Sequence, residues 1–459
     1  MPRCPTMLRI LCLVSCALLI PSRADPGALM KLGMEFMNKA VKDAMDESQI
    51  LEKMAAMANQ QGSGVKPIKG MTGMKVKDVR PPIITLDFLP EVGIFQCVST
   101  QITITGKSFI GGTMEITVVV NITANNRLSQ DEATGLPTFH SEGCQIILVS
   151  VKTNLPSNML PKVVNKFLDS TLQKVLPGLM CPAIDTVLEF VNQKWTHLMD
   201  PRPVGEAGSI KYVLSGTPTT TAKYIEVDFN PVVQREDGDT IDLPEDGAAI
   251  TILEDYPDGS SQLVLSATFV AAEFTLLQKS FDVDIKGKTI GKLPPHTTKT
   301  VARFVPRVGK AYRKPVPLMT QIRINKPPKV IMKPDKSELH LHGTIEMFAV
   351  SPKSGPSSMF VLETHFILDI QYSLSEDKVN MVTSMDKLLD LSVASSSIGS
   401  FKVKKLKKFL TSLLQEAYVP IINGALEVGF PLPAFLDMKY GQSELAIKEN
   451  ALVVDLRKP

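Results

Sequence analysis

The chain has 459 residues, of which 44% are hydrophobic and 21% charged, a composition typical of globular domains rather than of disordered or fibrous proteins. Its 50 Lys and Arg residues against 47 Asp and Glu residues give a formal net charge of +3. Arg3, Arg9 and Arg23 lie in the first 24 residues, which contain no acid, so the rest of the chain is neutral. Because a nucleic-acid-binding protein concentrates basic charge, we expect no nucleic-acid partner.

Residues 1–24 have the pattern of a secretory signal peptide. Residues 1–9 are basic, residues 10–20 are apolar but too short to span a bilayer, and residues 22–24 include the small side chains that signal peptidase requires. The alternative is a buried N-terminal strand. We expect a mature chain that starts at Asp25 and is secreted or held in the lumen of the ER or Golgi. No later run reaches 18 uninterrupted apolar residues, so we expect no transmembrane helix.

Charge divides the remaining chain into three parts. Residues 25–235 carry 20 basic and 20 acidic residues, residues 236–260 carry nine acidic residues and no basic one, and residues 261–459 carry 27 basic and 18 acidic residues. The middle stretch also contains prolines and glycines, which is typical of an exposed linker. Its acids lack the regular spacing of a calcium loop. We therefore expect two domains, 25–235 and 261–459, joined by an acidic linker.

The first half combines helical and strand patterns. Apolar residues at three- and four-residue steps predict a helix within residues 26–58. Residues 114–123 alternate between apolar and polar side chains, as a half-buried strand does, and residues 145–153 predict a further strand. Residues 158–198 again predict a helix, which we expect Pro177 to break or kink.

The second half repeats this order. Residues 261–279 are apolar and predict a helix, strands are expected through residues 286–390, and residues 403–417 predict another helix before short strands at the end. The shared layout predicts two α+β domains of similar construction.

Two covalent features remain after removal of the signal peptide. Cys97, Cys144 and Cys181 are an odd number of cysteines, so at most one intramolecular disulfide can form. Asn121 begins an Asn-Ile-Thr glycosylation sequon on the polar face of the strand at residues 114–123, where a glycan would be sterically acceptable.

The sequence contains no recognisable catalytic constellation. It has no G-x-S-x-G, P-loop or H-E-x-x-H motif, and the mature chain has no C-x-x-C motif. His340 and His342 share one face of a strand with Glu338, which would be half of a zinc site. No third or fourth ligand is evident nearby in the sequence, and a solvated strand face is the simpler interpretation. We expect no enzyme activity, no cofactor and no metal.

Residues 401–410 form a basic amphipathic segment. On a helix, its apolar residues share one arc and its lysines the other. Such a helix can lie on anionic lipid, or its apolar arc can pack into its own domain and leave the lysines solvated. The candidates for membrane contact are Lys402, Lys404, Lys405, Lys407 and Lys408.

Several separated motifs together resemble the BPI/LBP/PLUNC superfamily of lipid-transfer proteins with the BPI fold. The resemblance covers the whole mature chain in order. It is carried by Cys144 on a strand, by LPGLMCPAI around Cys181, by DKLLDL at residues 386–391 with SIG at 397–399, by VPIIN at 419–423 and by GFPLP at 429–433.

This resemblance implies a boomerang of two BPI-fold domains, each a curved antiparallel β-barrel with long helices, that share a central sheet. It implies a disulfide between Cys144 and Cys181, which leaves Cys97 free. It also implies an elongated apolar pocket in each domain for phospholipid acyl chains. The candidates for the pocket wall in the first half are Leu32, Phe36, Val163, Phe167, Val187 and Val191.

The resemblance implies a non-catalytic lipid-binding or lipid-transfer function. Bactericidal members have a cationic N-terminal domain, whereas residues 25–235 here are neutral, so we expect phospholipid rather than endotoxin as the ligand. An anionic membrane surface is a further expected partner, through the basic segment. The alternative is an innate-defence or regulatory protein that acts through protein partners and has a mainly structural pocket.

Overall fold

The computed structural model of the protein describes residues 27–50, 71–108, 111–154, 162–243, 250, 259–287, 290–435 and 438–456. The predicted signal peptide lies outside the described residues. So do the end of the first predicted helix and most of the predicted acidic linker.

An open antiparallel sheet dominates the first half. Its order is β2-β4-β5-β6, with β3 paired to β4. In β5, Ile116, Val118 and Val120 are buried while the residues between them are half-buried, which confirms the predicted strand. We call it the N-terminal sheet; its strands are β2 (Met71–Val79), β3 (Ile83–Leu89), β4 (Gly93–Ser108), β5 (Thr113–Gln130) and β6 (Pro137–Thr153).

Two helices pack against this sheet. Helix α1 (Met34–Ser48) contacts β3, and helix α2 (Lys162–Gln193) contacts both β6 and α1. The expected break at Pro177 does not occur, because α2 continues through Pro177 and Pro182. Leu176, one of the residues that face the core, is buried there, and this burial offsets the backbone hydrogen bonds that the prolines remove.

The first predicted helix begins later than expected. Residues 28–33 form strand β1 (Ala28–Gly33), which is almost wholly buried. A strand buried on both faces lacks the apolar and polar alternation that distinguishes a strand from a helix. Gly33 is required here, because a Cβ atom would collide with the backbone carbonyls of Gly259 and Ser260.

A second open sheet dominates the second half. Its order is β13-β14-β16-β17-β18-β19, with β15 paired to β16. We call it the C-terminal sheet; its strands are β13 (Val283–Lys286), β14 (Leu318–Ile324), β15 (Lys329–Lys333), β16 (Lys336–Ser351), β17 (Gly355–Leu374), β18 (Lys378–Ser396) and β19 (Phe430–Pro431).

The helices of the second half have other bounds than predicted: the one at residues 261–279 starts later, and the one at residues 403–417 runs on to Leu426 through consecutive helical segments. Of the predicted helix at residues 261–279, the first six residues are a strand and the helix starts after the N-cap Ser266, whose side chain accepts a hydrogen bond from Phe269 N. The helices are α3 (Ala267–Leu276), α4 (Thr298–Ala302), α5 (Pro306–Ala311), α6 (Lys407–Leu413) and α7 (Val419–Leu426). Single turns at Gln278–Phe281, Val403–Lys405 and Leu414–Tyr418 extend or connect them.

A central antiparallel sheet joins the two halves. Its order is β20-β21-β12-β1-β10-β8-β7, with β9 and β11 paired to β10. Strand β1 of the first half pairs with β12 of the second, so both halves share one sheet, as expected. The remaining strands are β7 (Arg202–Val204), β8 (Gly208–Leu214), β9 (Thr219–Thr220), β10 (Tyr224–Arg235), β11 (Thr240–Ile241), β12 (Ser261–Ser266), β20 (Glu444–Lys448) and β21 (Ala451–Leu456).

The same helix-to-strand contact occurs in both halves. Asn192 of α2 accepts a hydrogen bond from Phe139 N (2.8 Å) and donates one to Phe139 O (2.9 Å) in β6. Asn423 of α7 accepts from Thr383 N (2.8 Å) and donates to Thr383 O (2.9 Å) in β18. This repetition of one hydrogen-bonding pattern supports two domains of common construction.

Candidate functional site

A cavity of about 40 Å³ lies between α1, α2 and the buried face of the N-terminal sheet. The helical side contributes Met45, Ile50, Met180, Ala183, Ile184 and Val187. The sheet side contributes Val79, Pro82, Gln96, Val98, Thr100 and Ile122.

The wall of this cavity offers apolar contacts almost exclusively. Its two polar side chains are already hydrogen-bonded: Gln96 Oε1 accepts from Asn126 Nδ2 (2.9 Å), and Thr100 Oγ1 donates to Arg80 O (2.8 Å). A group entering the cavity therefore meets mainly hydrocarbon and two polar side chains that each already make a hydrogen bond, which favours an apolar ligand.

A disulfide fixes one side of the cavity. Cys144 of β6 and Cys181 of α2 are bonded, with their Cα atoms 6.0 Å apart, which is the pairing that the family resemblance implied. Met180 and Ala183, close to Cys181 in sequence, are wall residues. The bond therefore holds this part of α2 against the sheet. Cys97 of β4 is a half-buried free thiol.

The predicted pocket residues of α2 occupy different places. Val187 lines the cavity, and Val191, one turn later, is buried in the core. The side chains of Val163 and Phe167 lie outside the described residues.

The other two predicted pocket residues lie toward the junction of the two halves. Leu32 is buried in β1 of the central sheet. Phe36, at the start of α1, is half-buried, and its ring centroid lies 6.3 Å from that of Phe435. Phe435 also makes an edge contact of 4.7 Å with Trp195, the only tryptophan of the chain. No local sequence pattern indicates this aromatic contact between the halves, because it joins residues that are far apart in the chain.

Beside these rings lies a cleft of about 520 Å³ between the end of α2 and residues 432–435, 438 and 440. Two ion pairs lie at the edge of this cleft: Lys194 with Glu47 (3.0 Å), and Arg202 with Asp377 (2.7 Å). Unlike the cavity under α1 and α2, this cleft is bordered by charged groups of both signs.

The basic segment at residues 401–410 is attached to its domain through its apolar arc. Leu406, Phe409 and Leu410 are buried. The candidates for membrane contact are all exposed: Lys402, Lys404, Lys405, Lys407 and Lys408. Lys407 Nζ donates a hydrogen bond to Leu389 O (3.3 Å), which leaves the other four more suited to an external anionic partner.

The sequon residue Asn121 lies in the middle of the N-terminal sheet. It pairs with Ser99 of β4 and Ile147 of β6 and is half-buried on the outer face. Ile147 is 55% exposed, so this face is accessible at the position of the sequon.

Within the described chain, one helical stretch, Leu172–Gln193, is long and apolar enough to cross a membrane by length and composition. It belongs to α2, which packs on β6 and α1 and is tied to β6 by the disulfide. These contacts are those of a core helix, which passes the same test.

Two family models match the chain, one in each half. Residues 28–191 match the N-terminal domain of the LBP / BPI / CETP family, and residues 260–456 match its C-terminal domain. The chain therefore belongs to the LBP / BPI / CETP family, as its motifs indicated.

Individual members of this family are similar to the chain over almost its whole length. The chain is 63% identical to human BPI fold-containing family B member 6 over 452 residues, which covers 98% of this chain and 100% of the relative. It is 57% identical to mouse BPI fold-containing family B member 6 over 98% of this chain and 100% of the relative. The crystal structure of lipopolysaccharide binding protein superposes with a TM-score of 0.58 at 20% identity, covering 94% of this chain and 98% of that one. This likeness establishes the common fold.

Proposed function

We propose that this protein binds phospholipid by its acyl chains, without catalysis, in the space between α1, α2 and the N-terminal sheet. Its family is known for lipid binding and transfer. The observation that carries the proposal is the apolar cavity there, whose polar wall groups are already hydrogen-bonded.

The size of the cavity defines how a lipid would enter. A volume of about 40 Å³ is well below the roughly 300–1,000 Å³ of pockets that enclose a whole small ligand. An acyl chain therefore has to move α1 or α2 away from the sheet. Met45 and Met180 in the wall suit this change, because unbranched thioether side chains repack at low cost.

An acyl chain is shielded from water both in a bilayer and in an apolar cavity. At roughly 0.8 kcal/mol per CH₂ group, a chain of about 16 carbons gains on the order of 10 kcal/mol on leaving water. Because bilayer and cavity provide this burial alike, exchange between them is close to balanced and needs no reacting group.

The surroundings of the lipid site are part of the same proposal. We place the protein in the secretory pathway or outside the cell, with a signal peptide at residues 1–24 and a glycan on Asn121. The neutral first half supports phospholipid rather than endotoxin as ligand. The exposed lysines at residues 402–408 would contact an anionic membrane during lipid exchange. The two domains of this proposal are residues 25–235 and residues 261–459, and residues 236–260 link them.

A cavity-filling variant tests the proposal. Ala183→Leu places three additional carbons in the cavity wall, whereas Pro182→Leu places the same side chain on the exposed side of α2. We expect Ala183→Leu to reduce binding of a fluorescent phosphatidylcholine severalfold and Pro182→Leu to leave it unchanged, with circular dichroism showing that both variants are folded. Equal binding by wild type and Ala183→Leu would exclude the cavity as the lipid site.

A further inference from the structure

Three histidine side chains meet on the outer face of the C-terminal sheet. His342 of β16 lies directly opposite His365 of β17, and their rings stack with centroids 3.8 Å apart. His340, two residues before His342 on the same face, places its Nδ1 atom 3.1 Å from His365 Nε2. The register of two consecutive antiparallel strands thus brings two imidazole nitrogens together.

Each ring of the His340–His365 pair also faces a carboxylate. Glu338 Oε2 lies 3.6 Å from His340 Nε2, and Asp390 Oδ2 of β18 lies 3.6 Å from His365 Nδ1. The order of groups across the sheet is therefore carboxylate, imidazole, imidazole, carboxylate.

The number of ring protons does not match the number of these contacts. Two neutral imidazoles carry two N–H groups, whereas the two carboxylates and the contact between the rings would use three. If one N–H lies between the rings, one outer nitrogen presents a lone pair to a carboxylate. His340 Nε2 is indeed buried without a hydrogen-bond partner among the described residues. If both N–H groups point to the carboxylates, two inner lone pairs face each other.

We propose that the inner nitrogens, His340 Nδ1 and His365 Nε2, bind a divalent transition-metal ion of the zinc class. Tetrahedral zinc with Zn–N bonds of 2.0–2.1 Å separates two ligand nitrogens by about 3.3 Å, close to the 3.1 Å found here. The metal takes both inner lone pairs, and each outer N–H then points to a carboxylate. Backing of a metal-bound histidine by a carboxylate is the common arrangement in proteins, and it fixes the ring tautomer.

The neighbouring acidic group is a weaker place for the ion. Glu338, Asp369 and Asp386 bring carboxylate oxygens close together, but Lys336 Nζ lies 2.5, 3.7 and 3.8 Å from them. Lys387 also contacts Glu338 (3.8 Å) and Asp386 (3.3 Å). Ammonium groups of these two lysines thus fill the cation position among the carboxylates. Ligand type agrees, because imidazole is preferred by zinc, copper and nickel.

Isothermal titration of the metal-free full chain with Zn²⁺ at pH 7.5 tests this proposal, since an imidazole of ordinary pKa is mostly neutral there. We expect one ion per chain and at least tenfold weaker binding by His340→Gln and by His365→Gln. The matched control is His197→Gln, because His197 is an exposed histidine that also contacts a carboxylate, Asp200 (2.7 Å), but has no second imidazole. It should bind like the wild type.

A second pair of variants keeps both rings. Glu338→Gln and Asp390→Asn should lower Zn²⁺ affinity by roughly 10- to 100-fold, as loss of a carboxylate behind a ligand histidine does. Circular dichroism is expected to show that all variants remain folded, because the group lies on the outer face of the sheet. Absence of Zn²⁺ binding by the wild type, or equal binding by wild type, His340→Gln and His365→Gln, would overturn the proposal.

Discussion

Loss of the Cys144–Cys181 disulfide removes the covalent link between α2 and β6 next to the cavity. The two cysteines are separated by 37 positions, so the bond closes a loop of about 38 residues in the unfolded chain. The chain-entropy relation gives a stabilisation of about 3.9 kcal/mol at 25 °C for a loop of this length. We therefore expect Cys144→Ala/Cys181→Ala to lower the free energy of unfolding by about 3–4 kcal/mol.

Guanidinium unfolding of wild type and variant, followed by far-UV circular dichroism, measures this difference. The matched control is Cys97→Ala, which removes a half-buried free thiol from the outer part of β4 and should cost about 1 kcal/mol or less. Hydrogen exchange should also become faster in α2 around residues 176–187. A loss below 1 kcal/mol in the double variant, or an equal loss in Cys97→Ala, would refute the assigned role of the disulfide.

Four further variants test three other parts of the structure. Burial raises the pKa of Glu273 well above its usual value, so the folded state keeps a proton that the unfolded chain loses. Stability therefore falls as pH rises above about 4.5, by about 1.4 kcal/mol per pH unit while the folded state stays protonated. Glu273→Gln should remove this loss, with a gain over wild type that grows between pH 5 and pH 7 in urea unfolding. Lys404→Glu/Lys405→Glu should reduce co-flotation with anionic liposomes and leave the melting temperature unchanged, because both lysines are exposed. Asn192→Ala and Asn423→Ala should each lower the free energy of unfolding by about 1–3 kcal/mol in the same urea assay, since each removes two hydrogen bonds to a strand backbone.

Each of these changes has a matched control at an exposed position. Glu427→Gln should show no pH-dependent gain, Lys152→Glu/Lys174→Glu should leave flotation unchanged, and Asn230→Ala should cost less than 0.5 kcal/mol. A constant offset between Glu273→Gln and wild type over pH 5–7 would contradict a buried neutral carboxyl. Flotation insensitive to Lys404 and Lys405 would contradict membrane contact by this segment, and a neutral Asn192→Ala would contradict the helix-to-strand contact.

Strands with one exposed face were predictable from the sequence, whereas strands buried on both faces were not. In β5, apolar and polar side chains alternate, and this pattern indicates directly that only one face of the strand is exposed. In β1 and β12 nearly every side chain is buried, so both appeared as the beginnings of helices, and the central sheet could be expected only from the family resemblance.

Candidate site residues were likewise predictable only where a local sequence pattern indicates their position. Val187 could be placed near a cavity because it lies on the apolar face of a long helix. The sequence could not show that Leu32 belongs to the central sheet, since that depends on pairing with β10 and β12. His365 is separated from His342 by 22 intervening residues, and only the strand register makes them neighbours. Contacts fixed by pairing of distant strands leave no local pattern.

Lipid binding is tested most directly by native mass spectrometry of the protein purified from eukaryotic cells without detergent. Lipid binding predicts a mass excess equal to phospholipid, which is released on denaturation and identified in the organic extract. It also predicts that Ala183→Leu carries less of this lipid than Pro182→Leu does. A wild-type protein that carries no lipid and acquires none from phospholipid vesicles would contradict the account and favour a function through protein partners with a structural cavity.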